Sequence, residues 1–439
     1  RSQCQVGQAF AYGLMYNLPH ACNCGTVLRG VSAVSGGSKI PDGKVSPILI
    51  KGNENKNEEM ALSNGWQIFR GNMERSSSIA NELPSELKMG WSVKIGNSPL
   101  TQLTGVGEIG LTAETETHRV YALDLKSGKV IWSYTTEGRI PLPPTIYKGV
   151  CLIADQAGWV YCLNVKSGNI IWQFQAAPEQ KYMCAFGQIE SSWPVRSGIL
   201  VIDNIAYFSA GRTGVTDGGI HLYAVNIDSG QQVWKRIFTN LMPNDLLTAY
   251  QNKYLIQGRV IINPIDGKDL PFPAGLHENV LHSCGYETGT NVSIIDSLAS
   301  TDAGQIWIRK SSPGNSRGAG NSVAFDKETT IFSVRGHPVR KGDDPWRCDV
   351  RAAGKFNWIN KSIHQQMYSM ILSNSHIFCA GVPEFGDLQE KPNLWILSLI
   401  DGKEIQKVPL EGVPTIEGLS SIDGKLFLTT QDGHANCFI

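Results

Sequence analysis

The chain has 439 residues, and its 39 lysine and arginine residues balance its 39 aspartate and glutamate residues to a formal net charge of zero. This balance argues against a nucleic-acid partner or an acidic membrane surface, because both require an excess of basic residues. No apolar run approaches the ~18 residues of a membrane-spanning helix. The 11 tryptophan and 46 glycine residues suit a turn-rich β protein.

The N-terminal region combines two apolar segments with a cluster of cysteines. Residues 9–16 and 27–34 are predicted to be strands of one sheet. One disulfide is expected among the cysteines around the first strand, joining Cys4 to Cys22 or Cys24. The chain begins abruptly at Arg1 and carries no signal peptide, so we expect a processed piece of a longer precursor.

A polar stretch follows and leads into the regular part of the chain. Residues 36–65 are rich in glycine, asparagine and charged residues and are predicted to be a loop or linker. Residues 66–75 are expected to pack across the edge of a sheet.

A repeated unit then organises the chain. Residues 120–132, 160–172 and 222–234 each read as a strand, a turn with Asp or Asn and Gly, and a second strand that ends on Trp132, Trp172 or Trp234. A period of ~40 residues with short strands is typical of a β-propeller. Units are predicted near 91–134, 139–174 and 193–238, and the three tryptophans are expected to be buried between them.

The C-terminal half repeats the pattern less regularly. Residues 254–263 are predicted to be a strand pair, residues 271–290 a loop insertion, and further units lie near 365–408 and 411–439. The last unit stops before its fourth strand, which a strand from the N-terminal segment is expected to supply. Four cysteines in apolar strands are predicted to be buried in the core, namely Cys151, Cys162, Cys379 and Cys437.

The pattern Ala/Leu-x-Asp-x-x-x-Gly-Lys-x-x-Trp resembles the tryptophan-docking repeat of propellers related to the pyrroloquinoline quinone (PQQ) dehydrogenases. The region 119–234 is more similar still to PQQ-like repeat proteins typical of planctomycete bacteria, and this likeness covers about residues 1–35 and 65–240. The segments that carry this likeness are 1–4, 13–16, 19–24, 66–72, 138–145, 188–194, 210–212 and 217–219. The resemblance implies an all-β, quinoprotein-like propeller of seven or eight blades, with eight favoured. Residues 1–439 would form one domain, closed by pairing of N- and C-terminal strands.

Polar residues at similar positions of the repeat in three successive units form the strongest candidate site. Long loops on one face of a propeller converge on its axis, so these side chains are expected to face one volume. Arginine forks and a flat tryptophan ring suit an anionic or carbohydrate ligand. The predicted ligand-binding residues are Arg139, Gln188, Glu190, Trp193, Arg212 and Asp217, with His282 approaching from the insertion. The alternative is that the same residues tie neighbouring units together.

No cofactor is expected. Active PQQ dehydrogenases of this fold carry adjacent cysteines and a set of acids and an amide that holds Ca²⁺, whereas the nearest feature here is Cys22-Asn23-Cys24. PQQ with calcium therefore stays only as an alternative. A zinc site at His277, His282 and Cys284 has no readable fourth ligand, so no metal is predicted.

Two functions remain open. The first is a periplasmic or extracellular binding module, which would bind a small molecule, a carbohydrate or other domains of a longer parent protein. The second is an enzyme, either a PQQ-dependent oxidoreductase or a polysaccharide hydrolase or lyase that uses Glu190, an arginine and a loop histidine. The ten cysteines favour an exported protein. If Arg139, Glu190 and Arg212 face the axis of the propeller, they form a ligand site. If they face a dry seam between units, they are a structural tie.

Overall fold

A computed structural model describes most of the chain and shows an all-β protein. The described residues are 8–11, 14–17, 32–35, 48–54, 65–185, 187–240, 244, 246–257, 260–271, 297–301, 304–308, 319–335, 348–383 and 390–439. Within them the helical content is one 3-10 turn, Thr115–Thr117. The same part of the chain contains no helix that is long and apolar enough to cross a membrane.

Seven described sheets repeat one antiparallel meander, and we call them sheets A to G. Sheet A contains β6 (Thr104–Val106), β7 (Ile109–Glu114), β8 (Arg119–Asp124) and β9 (Val130–Thr135). Sheet B contains β10 (Thr145–Tyr147), β11 (Val150–Ala154), β12 (Trp159–Asn164) and β13 (Ile170–Gln175), and β4 (Leu49–Lys51) joins it. Sheet C contains β16 (Leu200–Ile202), β17 (Ile205–Ala210), β18 (Ile220–Asn226) and β19 (Gln232–Phe238). Sheet D contains β20 (Thr248–Tyr250), β21 (Tyr254–Gln257) and β22 (Val260–Ile262).

The remaining sheets follow in the C-terminal half. Sheet E contains β25 (Ala319–Phe325), β26 (Thr329–Arg335), β27 (Cys348–Gly354) and β28 (Trp358–Asn360). Sheet F contains β29 (Gln365–Leu372), β30 (His376–Pro383), β31 (Asn393–Ser398) and β32 (Glu404–Pro409). Sheet G contains β33 (Pro414–Ile422), β34 (Lys425–Thr430), β35 (His434–Phe438) and β5 (Met89–Lys94). Three small sheets lie outside this series: β1 (Gln8–Ala11) with β2 (Leu14–Asn17) and β3 (Ser32–Ser35), β14 (Tyr182–Ala185) with β15 (Gln188–Ser191), and β23 (Ser297–Thr301) with β24 (Gly304–Ile308).

The turn between the third and fourth strands has the chemistry that the repeat predicted. In sheet A, Asp124 Oδ1 accepts hydrogen bonds from the backbone N–H groups of Lys126 and Ser127. Gly128 then adopts a φ of 72°, which a residue with a Cβ rarely tolerates. A Cβ at this glycine would also collide with the ring of Trp91. The turn therefore needs glycine for both its backbone and its contact.

A tryptophan on the fourth strand of one sheet contacts the turn between the third and fourth strands of the next sheet. Each indole N–H donates to a turn carbonyl, in the pairs Trp91 to Leu125, Trp132 to Val165, Trp172 to Ile227, Trp234 to Pro264 and Trp358 to Leu399. Trp172 is fully buried, as expected, whereas Trp132 and Trp234 keep part of their rings exposed. The difference follows from β4, which covers the outer edge of sheet B and has no described counterpart on sheets A and C.

The C-terminal sheet takes its fourth strand from a distant part of the chain. β35 pairs antiparallel with β5, from His434 opposite Lys94 to Phe438 opposite Met89, with a register shift between Cys437 and Phe438. The predicted unit 91–134 is therefore wrong at its start, because β5 belongs to sheet G and sheet A begins at β6. Position in the chain suggested the earlier grouping, but hydrogen bonding decides the sheet.

The segment 66–79 crosses the inner edges of the sheets, so the predicted packing of residues 66–75 across a sheet edge is found, but at several sheets and not at one. Its carbonyls accept N–H groups from the first strands of sheets A, B, D, E and F in chain order, from Gly105, Ile146, Ala249, Phe325 and Leu372. Trp66 and Phe69 on this segment are buried. First strands from at least five sheets therefore converge on one segment, as radial packing of the sheets requires.

Several other predictions can be compared directly with the structure. Cys151, Cys162, Cys379 and Cys437 are buried, which confirms them as core residues. The three disulfide candidates Cys4, Cys22 and Cys24 lie outside the described residues. So do most of the predicted loop at 36–65 and nearly all of the predicted insertion at 271–290.

Candidate functional site

The predicted site residues lie on one edge of sheets A to C, which we call the loop face. In an antiparallel meander, the connection into the first strand and the connection from the second to the third strand emerge at the same edge. Arg139 precedes β10, Gln188 and Glu190 lie on β15 between sheets B and C, and Arg212 follows β17. The topology therefore places these side chains on one face.

Arg139, Glu190 and Arg212 form a buried triad. Arg139 Nε lies 3.2 Å from Glu190 Oε1, and Arg212 Nη2 lies 2.6 Å from Glu190 Oε2. Glu190 is 1% exposed and Arg212 is 6% exposed, so water screens neither ion pair strongly. Two guanidinium groups share one carboxylate, and the triad carries a formal charge of +1.

Backbone hydrogen bonds fix the triad between two sheets. The carbonyl of Arg139 accepts the N–H of Gln156 in sheet B, and the carbonyl of Arg212 accepts the N–H of Asn244 before sheet D. Arg212 Nη2 also donates to the carbonyl of Ser191 at 3.3 Å. The triad thus ties the β14–β15 hairpin to both neighbouring sheets, as the structural alternative predicted.

Three buried donors beside the triad have no acceptor among the described residues. They are Arg212 Nε, Arg212 Nη1 and the indole nitrogen of Trp193. Lys181 Nζ lies 5.9 Å from the centroid of a Trp193 ring and also pairs with Asp217 at 2.6 Å. A group that brings acceptor oxygens is therefore the chemical complement of this region.

The hairpin itself is exposed and carries the polar residue Gln188 next to its turn. Gln188 Oε1 lies 2.7 Å from His118 Nε2, and Gln188 Nε2 donates to Glu116 Oε2 at 3.0 Å. Tyr182 and Ile189 on the same hairpin are exposed. Gln188 thus contacts sheet A and lies apart from the buried donors. His282 lies outside the described residues.

Sequence reasoning missed a buried carboxylate next to this site. Asp155 accepts hydrogen bonds from the N–H groups of Gly138 and Trp159 and from the hydroxyl of Tyr161, each at 2.9 Å. Burial raises the pKa of Asp155 to about 6. Glu114 has a similar place in sheet A, where it ends the second strand, β7, just as Asp155 follows the second strand of sheet B, β11. Oε2 of Glu114 accepts a hydrogen bond from the Tyr121 hydroxyl. Alignment of the repeats by their second strands would have found both residues.

A second buried ion pair lies where the segment 66–79 crosses the sheets. Arg70 Nη1 lies 2.6 Å from Glu417 Oε1, and Ser322 donates to the same oxygen at 3.2 Å. Gln102 donates to the carbonyls of Glu417 and Leu419. Burial raises the pKa of Glu417 to about 7, although Arg70 acts in the opposite direction. No sequence motif marked these residues, because they come from distant parts of the chain.

A pocket of about 490 Å³ lies at the opposite edge of sheets D to F. Its walls include Glu74, Asp326 and Glu328. Two of these carboxylates have structural partners: Asp326 accepts the N–H of Thr329 at 2.7 Å, and Glu328 pairs with Lys355 at 2.7 Å. We assign no ligand to this pocket.

Comparison with known proteins shows what the repeats are similar to. The family model described as outer membrane protein assembly factor BamB matches residues 88–240 and 157–269. The matched residues are similar to a PQQ-like repeat propeller. A comparison with curated proteins gives no match.

The solved structures that resemble this propeller share its fold at low identity. A europium-containing methanol dehydrogenase aligns with a TM-score of 0.54 and 11% identity, over 85% of this chain and 98% of its own. BamB from Moraxella catarrhalis aligns with a TM-score of 0.49 and 14% identity, over 80% of this chain and 99% of its own. The quinohemoprotein alcohol dehydrogenase from Comamonas testosteroni has a TM-score of 0.47 and 10% identity, over 86% of this chain and 81% of its own. At 11% identity the likeness to the methanol dehydrogenase shows the fold alone.

Proposed function

We propose that this propeller is a binding module without a resident quinone, and that its loop face at sheets A to C binds an anionic or carbohydrate ligand. The observation that carries the proposal is the set of three buried donors on Arg212 and Trp193 that have no described acceptor. A buried donor without an acceptor costs about 1–3 kcal/mol. A ligand carboxylate or hydroxyl that accepts from these groups would recover that cost.

The donor chemistry of the site favours the same ligand class. Glu190, and Glu116 at 3.9 Å from Arg139 Nη1, offset the charges of the two guanidinium groups, but Arg212 keeps two buried N–H groups without a described acceptor. Arginine cannot accept a hydrogen bond and stays charged at all ordinary pH values. An acidic sugar supplies both the negative charge and the acceptor oxygens, and it is the probe of choice.

The enzyme alternatives have less support. A hydrolase that used Glu190 would need its carboxyl group to exchange protons, yet each carboxylate oxygen already accepts from an arginine. In the described part of the chain, no three His, Cys, Asp or Glu side chains converge to hold a metal ion. The described cysteines also include no adjacent pair, so the described residues do not fit a PQQ site with calcium, and we derive no redox step.

The finer architecture and the location belong to this proposal. We propose a closed ring of eight blades, for which the pairing of β35 with β5 and the contact of Trp91 with sheet A offer support. Residues 272–318, between sheets D and E, have about the length of one ~40-residue unit. We also propose a periplasmic or extracellular location and a protein partner, supported by the outer-membrane assembly description of the matching family.

Titration calorimetry with oligogalacturonates, together with thermal melting, tests the ligand. The wild-type protein should bind, and Arg212→Gln should lose binding while Glu190 keeps Arg139 as a partner. Arg119→Gln, on an exposed arginine of sheet A, is the matched control and should bind as the wild type does. The proposal fails if no acidic oligosaccharide binds the wild-type protein. It also fails if Arg212→Gln lowers the melting temperature and leaves binding intact.

A further inference from the structure

The outer edge of sheet B carries an additional strand. β4 pairs antiparallel with β13, with Leu49 opposite Phe174 and Lys51 opposite Trp172. Backbone hydrogen bonds extend the pairing on both sides, from Gly52 N to Ile171 O at 2.8 Å and from Gln175 N to Ile48 O at 2.9 Å. An edge strand of this fold can therefore pair with an extended peptide, and residues 48–54 are such a peptide from the chain itself.

Side chains add specificity to this pairing. Leu49 packs against the core cluster of sheets B and C and contacts the position of Gly230 beside the Trp172 ring. Glu54 accepts hydrogen bonds from Asn169 Nδ2 at 3.0 Å and Asn164 Nδ2 at 3.3 Å in the turn of sheet B. The bound segment thus shows an apolar residue followed five positions later by an acidic residue.

The strand changes the exposure of the edge that it covers. Ile171, which precedes Trp172 on the covered strand, is 8% exposed. The equivalent residues on the uncovered strands are Ile131 in sheet A at 48% and Val233 in sheet C at 53%. The apolar edge of sheet C is therefore built like that of sheet B but has no described strand on it.

Sheet C matches the occupied edge better than sheet A does. Its turn has the sequence Asn226-Ile227-Asp228-Ser229-Gly230-Gln231, so amide side chains stand where Asn164 and Asn169 bind Glu54. Asp228 replaces Lys166 of sheet B, and its carboxylate accepts a hydrogen bond from Asn204 Nδ2 at 2.6 Å. Sheet A has Asp124 at the first of these positions, and its carboxylate would repel an acidic residue. The turn that follows sheet C also presents Ile265, which is 82% exposed, where the turn that follows sheet A has Lys166.

We propose that the outer edge of β19 is a docking site for an extended segment of a partner protein. The segment pairs antiparallel with β19 and places an apolar residue over Trp234 and Ile265. An acidic residue five positions later contacts the amides of Asn226 and Gln231. Main-chain hydrogen bonds supply most of the affinity in such strand addition, and the side-chain positions supply the specificity.

A labelled peptide tests this proposal with the full chain. The probe is a fluorescein-labelled peptide of residues 46–56, Ser-Pro-Ile-Leu-Ile-Lys-Gly-Asn-Glu-Asn-Lys, and the readout is fluorescence anisotropy. In sheet B the backbone groups of Ile171 and Gln175 face outward, so the equivalent outward residues of β19 are Val233, Lys235 and Ile237. Lys235→Pro removes an outward donor and should weaken binding about tenfold. Ile265→Lys, on an exposed turn, should weaken it without affecting folding.

Matched proline variants identify the edge that binds. Ser133→Pro makes the equivalent change in sheet A and should leave peptide affinity unchanged. Gln173→Pro makes it in sheet B, and loss of binding in that variant alone would show exchange with β4 and overturn the proposal. Absence of binding to the wild-type protein up to ~1 mM peptide would overturn it as well.

Sedimentation velocity separates a partner protein from a second copy of this chain. The wild-type protein should sediment as one species that is independent of concentration. Concentration-dependent dimers that Lys235→Pro abolishes would assign the edge to a second copy and refute the partner. Wild-type-like melting curves for each variant show that the edge has been changed in a folded protein.

Discussion

Replacing Glu190 is the sharpest test of how the loop face is built. Glu190→Gln keeps the side-chain shape but removes the negative charge that lies 3.2 Å from Arg139 Nε and 2.6 Å from Arg212 Nη2. Two buried guanidinium groups would then have lost their shared carboxylate. Breaking a buried ion pair by removing one partner costs about 3–5 kcal/mol. We expect a loss of that size in the free energy of unfolding.

The assay is urea unfolding at equilibrium, followed by far-ultraviolet circular dichroism. A triple variant, Arg139→Met with Glu190→Leu and Arg212→Met, is the informative companion. Replacing a buried charged triad by apolar residues of similar volume is often neutral or stabilising, so the triple variant should regain most of the lost stability. It should not regain ligand binding, because the arginine donors are gone.

Two outcomes would refute this reasoning. A loss below ~1 kcal/mol in Glu190→Gln would mean that water reaches the triad and screens its charges. Full oligogalacturonate binding by the triple variant would mean that the triad is a structural tie and that the donors of Arg212 bind nothing.

Three further predictions concern the rest of the molecule. Trp172→Ala should cost about 3–5 kcal/mol because its ring is fully buried, and Trp132→Ala should cost less because its ring is partly exposed; equal losses in urea unfolding would contradict the role of β4. Burial raises the pKa of Glu417 from 4.5 to about 7, so the protonated form is favoured in the folded state, and its contribution to stability is present below pH 4.5 and lost as the pH rises through 7. Comparing the pH dependence of the free energy of unfolding between the wild-type protein and Glu417→Gln isolates the contribution of Glu417, about 3 kcal/mol, because the other titrating groups are the same in both proteins. The same pH dependence in both proteins would refute the prediction. Incubation with PQQ and Ca²⁺ followed by desalting should leave no quinone absorbance, and a stoichiometric quinone spectrum would overturn the proposed lack of quinone.

The candidate site shows where prediction from residue types stops. Arg139, Glu190 and Arg212 are neighbours in the structure because equivalent positions of a repeat emerge at one edge. Their mutual pairing was not readable, since an ion pair depends on side-chain distances that spacing along the chain does not give. Asp155 was missed because two of its three partners are backbone N–H groups, which every residue type except proline carries, and the third is the hydroxyl of Tyr161.

The sequence alone determined the repeating unit of this protein. An aspartate or asparagine that accepts N–H groups two and three residues later, a glycine at positive φ and a tryptophan shortly after it act over short distances, so spacing encodes them. Tertiary structure decided which distant segments complete the sheets. β5 fills the last position of sheet G, β4 covers sheet B, and Arg70 meets Glu417 across the inner strands. Main-chain pairing has almost no residue-type signature, so these partners are selected by which edges and cavities remain open after the local units have formed.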